Sequence, residues 1–413
     1  MKIGLLKETK TPTDNRVALT PLQIQQLAKK YPNAEFFVQS SNVRAFSDDE
    51  YKECGIKVTD NVNECDLLFG IKEADVKTLE LSKHYVFFGH IAKRQKYNIP
   101  LFRALINNKN TFTDYEYLVD EAGRRLVAFG WFAGVVGVYY TLMGWGKRTG
   151  KYSLPKPHAH MTVDEIIENV KRSNIGNVRI LITGTGRVSQ GAQHVLKSSG
   201  AKELSIADYI EGIENEGVVF CVVPHKELVA TNNPGIEFDK HDFNEHPEKY
   251  HSTFGRFTPM TDILICCHFW GERDPIYLNV EDYRKRDFRI RMIGDITCDI
   301  QGSIKSTLRP ATHAQPFYDY NPFTTKEEPA FSADDNVTVM AVDTCPNALP
   351  RITSEYFGEK LIEHVLTYIL ENDNLQSEVL ERATIVQNGH LGKDFADLKD
   401  YVEEFVLCPD NDK

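Results

Sequence analysis

The chain has 413 residues, 41% of them hydrophobic, enough to bury large cores and long enough for two or three domains. Its 48 basic and 59 acidic residues leave a net charge of −11, which gives no support to nucleic-acid binding or to an anionic membrane surface. The eight cysteines show no CxxC pair and no disulfide-like framework, so a reducing cytoplasm is expected. The opening Met1–Glu8 has too short an apolar run for a signal peptide.

In chain order, strand-like runs fall at Lys2–Leu6, Glu35–Gln39, Asp66–Ile71, Tyr85–Ile91 and Asn110–Leu118, with helical patterns between them. Thr20-Pro21-Leu22-Gln23 opens one such helix with an N-cap, a proline at the first helical position and a capping-box glutamine. Leu126–Trp145 carries no charge and contains the Gly130/Gly134 GxxxG spacing. Its flanking charges and several glycines favour a buried helix whose neighbours approach closely over a membrane span. A proline-bearing loop, Lys147–His158, follows.

Val178–Ile182 reads as a buried strand, Thr183-Gly184-Thr185-Gly186 as a tight turn, and Val188, Ala192, Val195 and Leu196 recur at helical spacing. A second strand, Glu203–Ala207, is expected to end in Asp208, the position of a ribose-binding acid. This order is a dinucleotide-binding fingerprint, in which Gly184 makes the turn and Gly186 lets the backbone approach a pyrophosphate at the helix N-terminus. Further strands are expected at Val218–Val223, Asp262–Cys267, Ile290–Thr297 and Thr338–Asp343. Asn232–Phe257 reads as a polar surface insertion, and a helix beyond Ser354 with an apolar face from Phe357 to Leu370 should return to cover the first domain. The expected fold class is therefore α/β: two Rossmann-like domains with parallel sheets separated by a cleft, the first (1–145 plus 346–413) completed by the C-terminal segment, the second (146–345) binding the nucleotide.

Parallel sheets present ligands at the carboxyl ends of their strands. Lys72 and Glu73 end one expected strand and His90 another, so a lysine and a histidine able to exchange protons can face one cleft. Arg16, Arg124 and Arg125 suit a substrate with several carboxylates. Cys267, Asp299 and Asp343 lie at or beyond strand ends in the nucleotide domain, where they can line a cofactor pocket. His158/His160 and His241/His246/His251 lack the spacing and partners of a metal site, and no metal is expected.

These residues sit in blocks that resemble the alanine dehydrogenase and transhydrogenase superfamily: Lys7-Glu8-Thr9-Lys10, Asn15–Pro21, Gly70-Ile71-Lys72-Glu73, Phe87-Phe88-Gly89-His90, Asp114-Tyr115-Glu116, Gly123–Gly130, Gly294–Asp299 and Val342–Arg351. The likeness is strongest to its lysine-forming saccharopine dehydrogenase (lysine–2-oxoglutarate reductase) branch. It implies reversible, NAD-dependent conversion of saccharopine to lysine and 2-oxoglutarate, with alanine dehydrogenase or another amino-acid or opine dehydrogenase as the alternative. The implied roles are proton exchange for Lys72 and His90, carboxylate binding for Arg16, Arg124 and Arg125, and tuning or amine binding for Glu73 and Glu116. For the cofactor, the resemblance implicates Gly184, Gly186, Arg187, Val188 and Asp208. NAD is expected because Asp208 would repel a 2′-phosphate; Ser189 at the third glycine position keeps NADP as the alternative. The implied partners are these small molecules alone, as a monomer or homo-oligomer.

Overall fold

Two eight-stranded sheets organise the computed structural model, which describes residues 1–213, 216–372 and 377–408. Each belongs to its own unit: Met1–Phe129 with the segment from Pro350, and Gly130–Leu349.

In the first unit, β1 (Lys2–Leu5), β2 (Glu35–Gln39), β3 (Lys57–Thr59), β4 (Leu67–Phe69), β5 (His84–Phe87) and β6 (Thr111–Asp114) pair in parallel in the order β6-β5-β4-β1-β2-β3. Helices α1 (Pro21–Lys30), α2 (Asp48–Glu53) and α3 (Ile99–Asn107) alternate with them. The start of α1 follows from its sequence: the Thr20 hydroxyl accepts from Gln23 N while Gln23 Oε1 accepts from Thr20 N at 2.9 Å, and Pro21 needs no partner for a missing N–H. Its buried face is Ile24 and Leu27.

The second unit opens with α4 (Gly130–Thr149), which takes in most of the uncharged run and carries Lys147 and Arg148 in its last turn, so the expected domain join at 145/146 lies near the end of this helix. After α5 (Val163–Arg172) come β7 (Val178–Thr183), α6 (Arg187–Ser198), β8 (Lys202–Glu203) and α7 (Ile206–Ile210). The GxxxG spacing has a plain cause. A Cβ on Gly134 would stand 1.8 Å from the Val188 carbonyl oxygen, and one on Gly191 1.9 Å from that of Trp131, so α4 and α6 cross backbone to backbone. No helix among the described residues is long and apolar enough to cross a membrane.

Beyond α7 the chain adds β9 (Val218–Val223), a hairpin of β10 (Val229–Thr231) and β11 (Tyr250–Ser252) enclosing α8 (Lys240–Glu245), then β12 (Ile263–Cys266), β13 (Met292–Asp295), β14 (Phe317–Asn321), β15 (Lys326–Glu328) and β16 (Val337–Met340). The sheet runs β15-β14-β16-β13-β12-β7-β9-β8, parallel except for the β14 and β15 pairings. Two expectations are corrected here. The strand expected over Glu203–Ala207 is the two-residue β8; Ser205 caps α7, donating to Asp208 Oδ2 at 2.7 Å and accepting from Asp208 N at 3.1 Å, so Asp208 is helical. The insertion is no purely polar excursion either, because Phe243, Tyr250, Phe254 and Phe257 are buried in the core beside β9.

The C-terminal segment returns to the first unit as expected. Helix α9 (Pro350–Leu361) buries Phe357 and Leu361 in that core, and Gln23 Nε2 donates to the Glu355 carbonyl at 2.7 Å. β17 (Thr384–Gln387) and β18 (His390–Leu391) then extend the first sheet beyond β6.

Candidate functional site

Four neighbouring parallel strands of the first unit, β1, β4, β5 and β6, end on the same side, and their following loops carry a dense set of charged groups. Lys72 and Glu73 follow β4, His90 follows β5, Asp114 ends β6 with Glu116 just after it, and the loop after β1 supplies Glu8, Lys10, Asp14 and Arg16.

Glu73 is the hub. Its Oε1 lies 2.9 Å from Lys10 Nζ and 3.4 Å from His90 Nδ1. Burial opposes its charge, but the hydrogen bonds from His90, the backbone and Lys10 outweigh that and pull the carboxyl down to about 2, so it is an anion throughout the physiological range. Glu116 makes a second hub, its Oε1 3.0 Å from Lys93 Nζ and also bound by Arg125. Its other oxygen, Oε2, is buried with no hydrogen-bond partner, an acceptor open to an added donor.

His90 is held in a left-handed backbone conformation, φ +52°, unusual for a residue with a side chain. The Asp114 carboxylate accepts both Gly89 N (3.1 Å) and His90 N (2.8 Å), which fixes that geometry. Burial pushes the Asp114 carboxyl up to about 6, with the Glu116 amide, the nearby His90 imidazole and the His90 amide acting against it. On β4's side, Glu8 accepts Ile71 N at 2.6 Å and Lys72 N at 2.9 Å, and burial raises its carboxyl to about 7. The Lys72 ammonium itself forms no hydrogen bond or ion pair among the described residues.

Arg16 is buried, clasped by Asp14 through Nε at 2.9 Å and through its terminal nitrogen, with its guanidinium 4.1 Å from the Phe129 ring centroid. Arg125 joins the Glu116 hub. Arg124 does not join the cluster: its side chain is 79% exposed and bound to Asp120 at 2.7 Å in its own turn. Sequence reasoning singled out no separate part for Lys10, Lys93 or Glu8. The signal for the two lysines was weak, because each pairs with a glutamate far away in the chain.

The second unit carries a cavity of about 1160 Å³ at the carboxyl ends of β7, β9 and β12, somewhat above the roughly 300–1,000 Å³ usual for ligand pockets. This is also where the strand order switches from one side of β7 to the other. Gly184 (φ +84°), Gly186, Cys267, Phe243 and Phe269 are among its lining residues. A Cβ on Gly184 would meet the Cys267 carbonyl at 3.0 Å, and Gly186 opens α6 with no side-chain cap, leaving backbone N–H groups at the helix start for an anion. These residues fit a dinucleotide pyrophosphate. Val188 instead packs on α4 beneath Gly130, and half-buried Arg187 lies outside the cavity lining, as do Asp208, Asp299 and Asp343. Among the described residues no group of three His, Cys, Asp or Glu side chains is placed to hold a metal.

Comparison with known proteins agrees with this architecture. Residues 4–136 match the family model described as alanine dehydrogenase/PNT, N-terminal domain. A solved L-alanine dehydrogenase aligns over 98% of this chain and 99% of its own with a TM-score of 0.66 at 17% identity, so the fold is shared. The chain thus has its likeness in the alanine dehydrogenase and transhydrogenase superfamily. Within it, the chain is 30% identical to α-aminoadipic semialdehyde synthase of Arabidopsis thaliana, over 94% of this chain and 40% of that protein, so it spans about two fifths of that relative's length. It is 27% identical to the NAD(+), L-lysine-forming saccharopine dehydrogenase of Neurospora crassa, over 92% of this chain and 94% of that protein.

Proposed function

We propose that this chain is a pyridine-dinucleotide oxidoreductase acting on a CH–NH bond, and that its reaction is the reversible oxidative cleavage of saccharopine to lysine and 2-oxoglutarate. The observation that carries the reading is the convergence of Lys72, His90, Glu73 and Glu116 on adjacent strand ends, beside a buried Arg16. The relatives named above and the glycine cavity of the second unit support the same reading.

When bound, the nicotinamide accepts or supplies the hydride. The remaining work belongs to the side chains. In the reductive direction the ε-amine of lysine attacks the keto carbon of 2-oxoglutarate, the adduct loses water to an imine, and reduction of the imine yields a secondary amine. Lys72, whose ammonium is not committed to any described partner, exchanges the proton of the amine nitrogen. His90, oriented by Glu73 at Nδ1 and by Asp114 through its backbone, exchanges the proton of the departing oxygen. Arg16 and Arg125 provide carboxylate anchors, and Glu116 Oε2 an acceptor for an ammonium.

The test is a matrix of amines against keto acids with NADH and NADPH. Oxidation of the reduced cofactor requiring both lysine and 2-oxoglutarate supports the reading. Turnover with pyruvate and ammonia in place of that pair would show an alanine dehydrogenase instead.

A further inference from the structure

We propose that the first unit holds a second small-molecule site, at the amino ends of β4, β5 and β6, which takes a free α-amino acid by its ammonium and its carboxylate together. The site is separate from the reaction assigned above, whose residues follow the carboxyl ends of the same three strands.

A cavity of about 330 Å³ opens there, near the lower end of the range usual for ligand pockets and suited to a small molecule rather than a nucleotide. Asp66 precedes β4, His84 begins β5 and Thr111 begins β6, and all three line it. The facing wall comes from the C-terminal segment, with Glu381 on the short helix Glu378–Ala383 and Lys393 just beyond β18. That wall is anchored on the start of β6. Asn388 N donates to the Thr111 hydroxyl at 3.2 Å, and Gly389 N donates to the Asn110 carbonyl at 2.9 Å.

Buried His84 fixes what the ligand must bring. Its Nε2 lies 2.8 Å from the Thr113 hydroxyl, which lies 2.9 Å from that of Thr384, which donates to the Leu380 carbonyl at 2.7 Å. Each hydroxyl has one proton to give. The Leu380 carbonyl can only accept, so it takes the proton of Thr384. Thr113 must then donate to Thr384, and His84 Nε2–H to Thr113. This network assigns the tautomer and leaves Nδ1 a bare acceptor, to which nothing among the described residues donates. Burial lowers the imidazole to about 4, so the ring is neutral and Nδ1 keeps its lone pair at physiological pH. Its donor has to enter through the cavity.

The charges around it are of both signs and uncommitted. The side chains of Lys83, Lys393 and Glu381 form no hydrogen bond or ion pair among the described residues, and Asp66 accepts only the Lys2 amide, at 3.4 Å. A simple anion would meet two carboxylates here, and a simple cation two ammonium groups. A zwitterion answers both. Its ammonium donates to His84 Nδ1 and to a carboxylate, while its own carboxylate lies against the lysines. Ser82, Thr111 and Gln387 complete a polar lining that suits a short polar side chain.

Calorimetric titration of the full chain with L-serine, L-threonine, L-asparagine and L-glutamine tests this without turnover. We expect at least one of the four to bind with a Kd of about 1 mM or below. Its N-acetyl and amide forms, each stripped of one charge, should bind roughly tenfold more weakly, and Glu381→Gln and Lys83→Met should each weaken the parent by a similar factor, the loss of one charge-assisted contact. Glu381 is exposed and Lys83 half-buried, so both variants should fold, which circular dichroism checks. His84→Leu should act in the same direction, and the two charge variants decide the matter should it fail to fold. Lys72→Met with His90→Gln should bind the amino acid as the wild type does. Binding by none of the four, equal binding of the N-acetyl or amide form, or affinity that survives both Glu381→Gln and Lys83→Met would overturn the proposal. So would affinity lost in the Lys72 and His90 variant and kept in the other two, which would place the amino acid at the proton-exchange cluster instead.

Discussion

Both sheets gather their chemistry at the carboxyl ends of parallel strands, yet the two ends are prepared differently. At the first unit's carboxyl ends nearly every charged group is already satisfied within the protein: Glu73 by Lys10 and His90, Glu116 by Lys93 and Arg125, Arg16 by Asp14. In the second unit the glycine cavity keeps its helix start uncapped and its lining Lys226 and Lys240 unpaired among the described residues. A pre-paired cluster orients and tunes proton-exchanging groups before a substrate arrives, as acid–base catalysis demands. A cavity with unspent donors and cations is suited to take up an anion. Substitutions should therefore fail in different ways, costing turnover in the first unit and cofactor affinity in the second.

The largest effect is expected from Lys72→Met with His90→Gln. Each group should contribute about 10²–10⁴-fold to the rate, so the double variant should lose nearly all turnover while its affinity for the reduced dinucleotide stays within twofold. Near-wild-type turnover would remove both residues from the mechanism. The mirror experiment is Gly184→Val, whose branched side chain would have to enter a turn where even a Cβ meets backbone at 3.0 Å and φ is +84°. It should weaken dinucleotide binding by roughly a hundredfold or more, of the order of two or more charge-assisted hydrogen bonds. Unchanged affinity would show that the turn does not hold the cofactor.

An intermediate effect separates two buried groups by the sign of their pH dependence. Asp114, raised to about 6 by burial, holds its proton more tightly folded than unfolded. It favours folding as pH falls from about 6 towards 4, but a protonated carboxyl grips the Gly89 and His90 amides less well, so activity should drop below about 6. Asp114→Asn should flatten that acid limb in the rate profile. His84, buried at the start of β5 and bonded to the Thr113 hydroxyl at 2.8 Å, behaves oppositely. Burial lowers it to about 4 from 6.5, so the unfolded chain takes up its proton first and stability is lost as pH falls through that window. The full loss is roughly 3 kcal/mol at 1.36 kcal/mol per unit. Thermal unfolding of wild type and His84→Gln at pH 7 and pH 5 should show a smaller pH-dependent drop in the variant; an equal drop would relocate the effect to another group.

What the sequence made legible divides along the same line. Strand ends were readable because apolar runs stop at them, so Lys72 and His90 could be placed at two strand ends, whereas Glu116 fell inside the run expected over Asn110–Leu118 and lies beyond β6; Thr20-Pro21-Leu22-Gln23 announced its helix residue by residue. The GxxxG spacing likewise foretold a close backbone approach. Strand order was not readable, since nothing local in Glu203–Ala207 or Val218–Val223 says which will pair with β7. The apolar run of β9 is buried on both faces and takes the inner place, while Ser205 and Asp208 form a helix cap that cuts β8 short. Pairs such as Lys10–Glu73 and Lys93–Glu116 were hidden for a related reason, because only the folded sheet brings those loops together.

The smallest expected effect is the most discriminating for the arginines. Motif resemblance treats Arg124 and Arg125 as a pair of carboxylate binders, but the fold separates them. Arg125 reaches the Glu116 hub, while Arg124 caps its turn through Asp120, which also accepts the Arg124 amide at 2.8 Å. An exposed pair of this kind is screened by water and contributes little. Arg124→Ala should therefore leave Tm within a few degrees and the KM for 2-oxoglutarate within about twofold, near the limit of what an exposed ion pair can do. Arg125→Ala should raise that KM roughly tenfold or more, the loss of a charge-assisted contact. If Arg124→Ala instead produced the larger rise in KM with kcat unchanged, the Asp120 pair would be a resting position that gives way when substrate binds. The contrast between a pre-paired cluster and an unspent cavity would then have to admit one mobile arginine on the first unit's side.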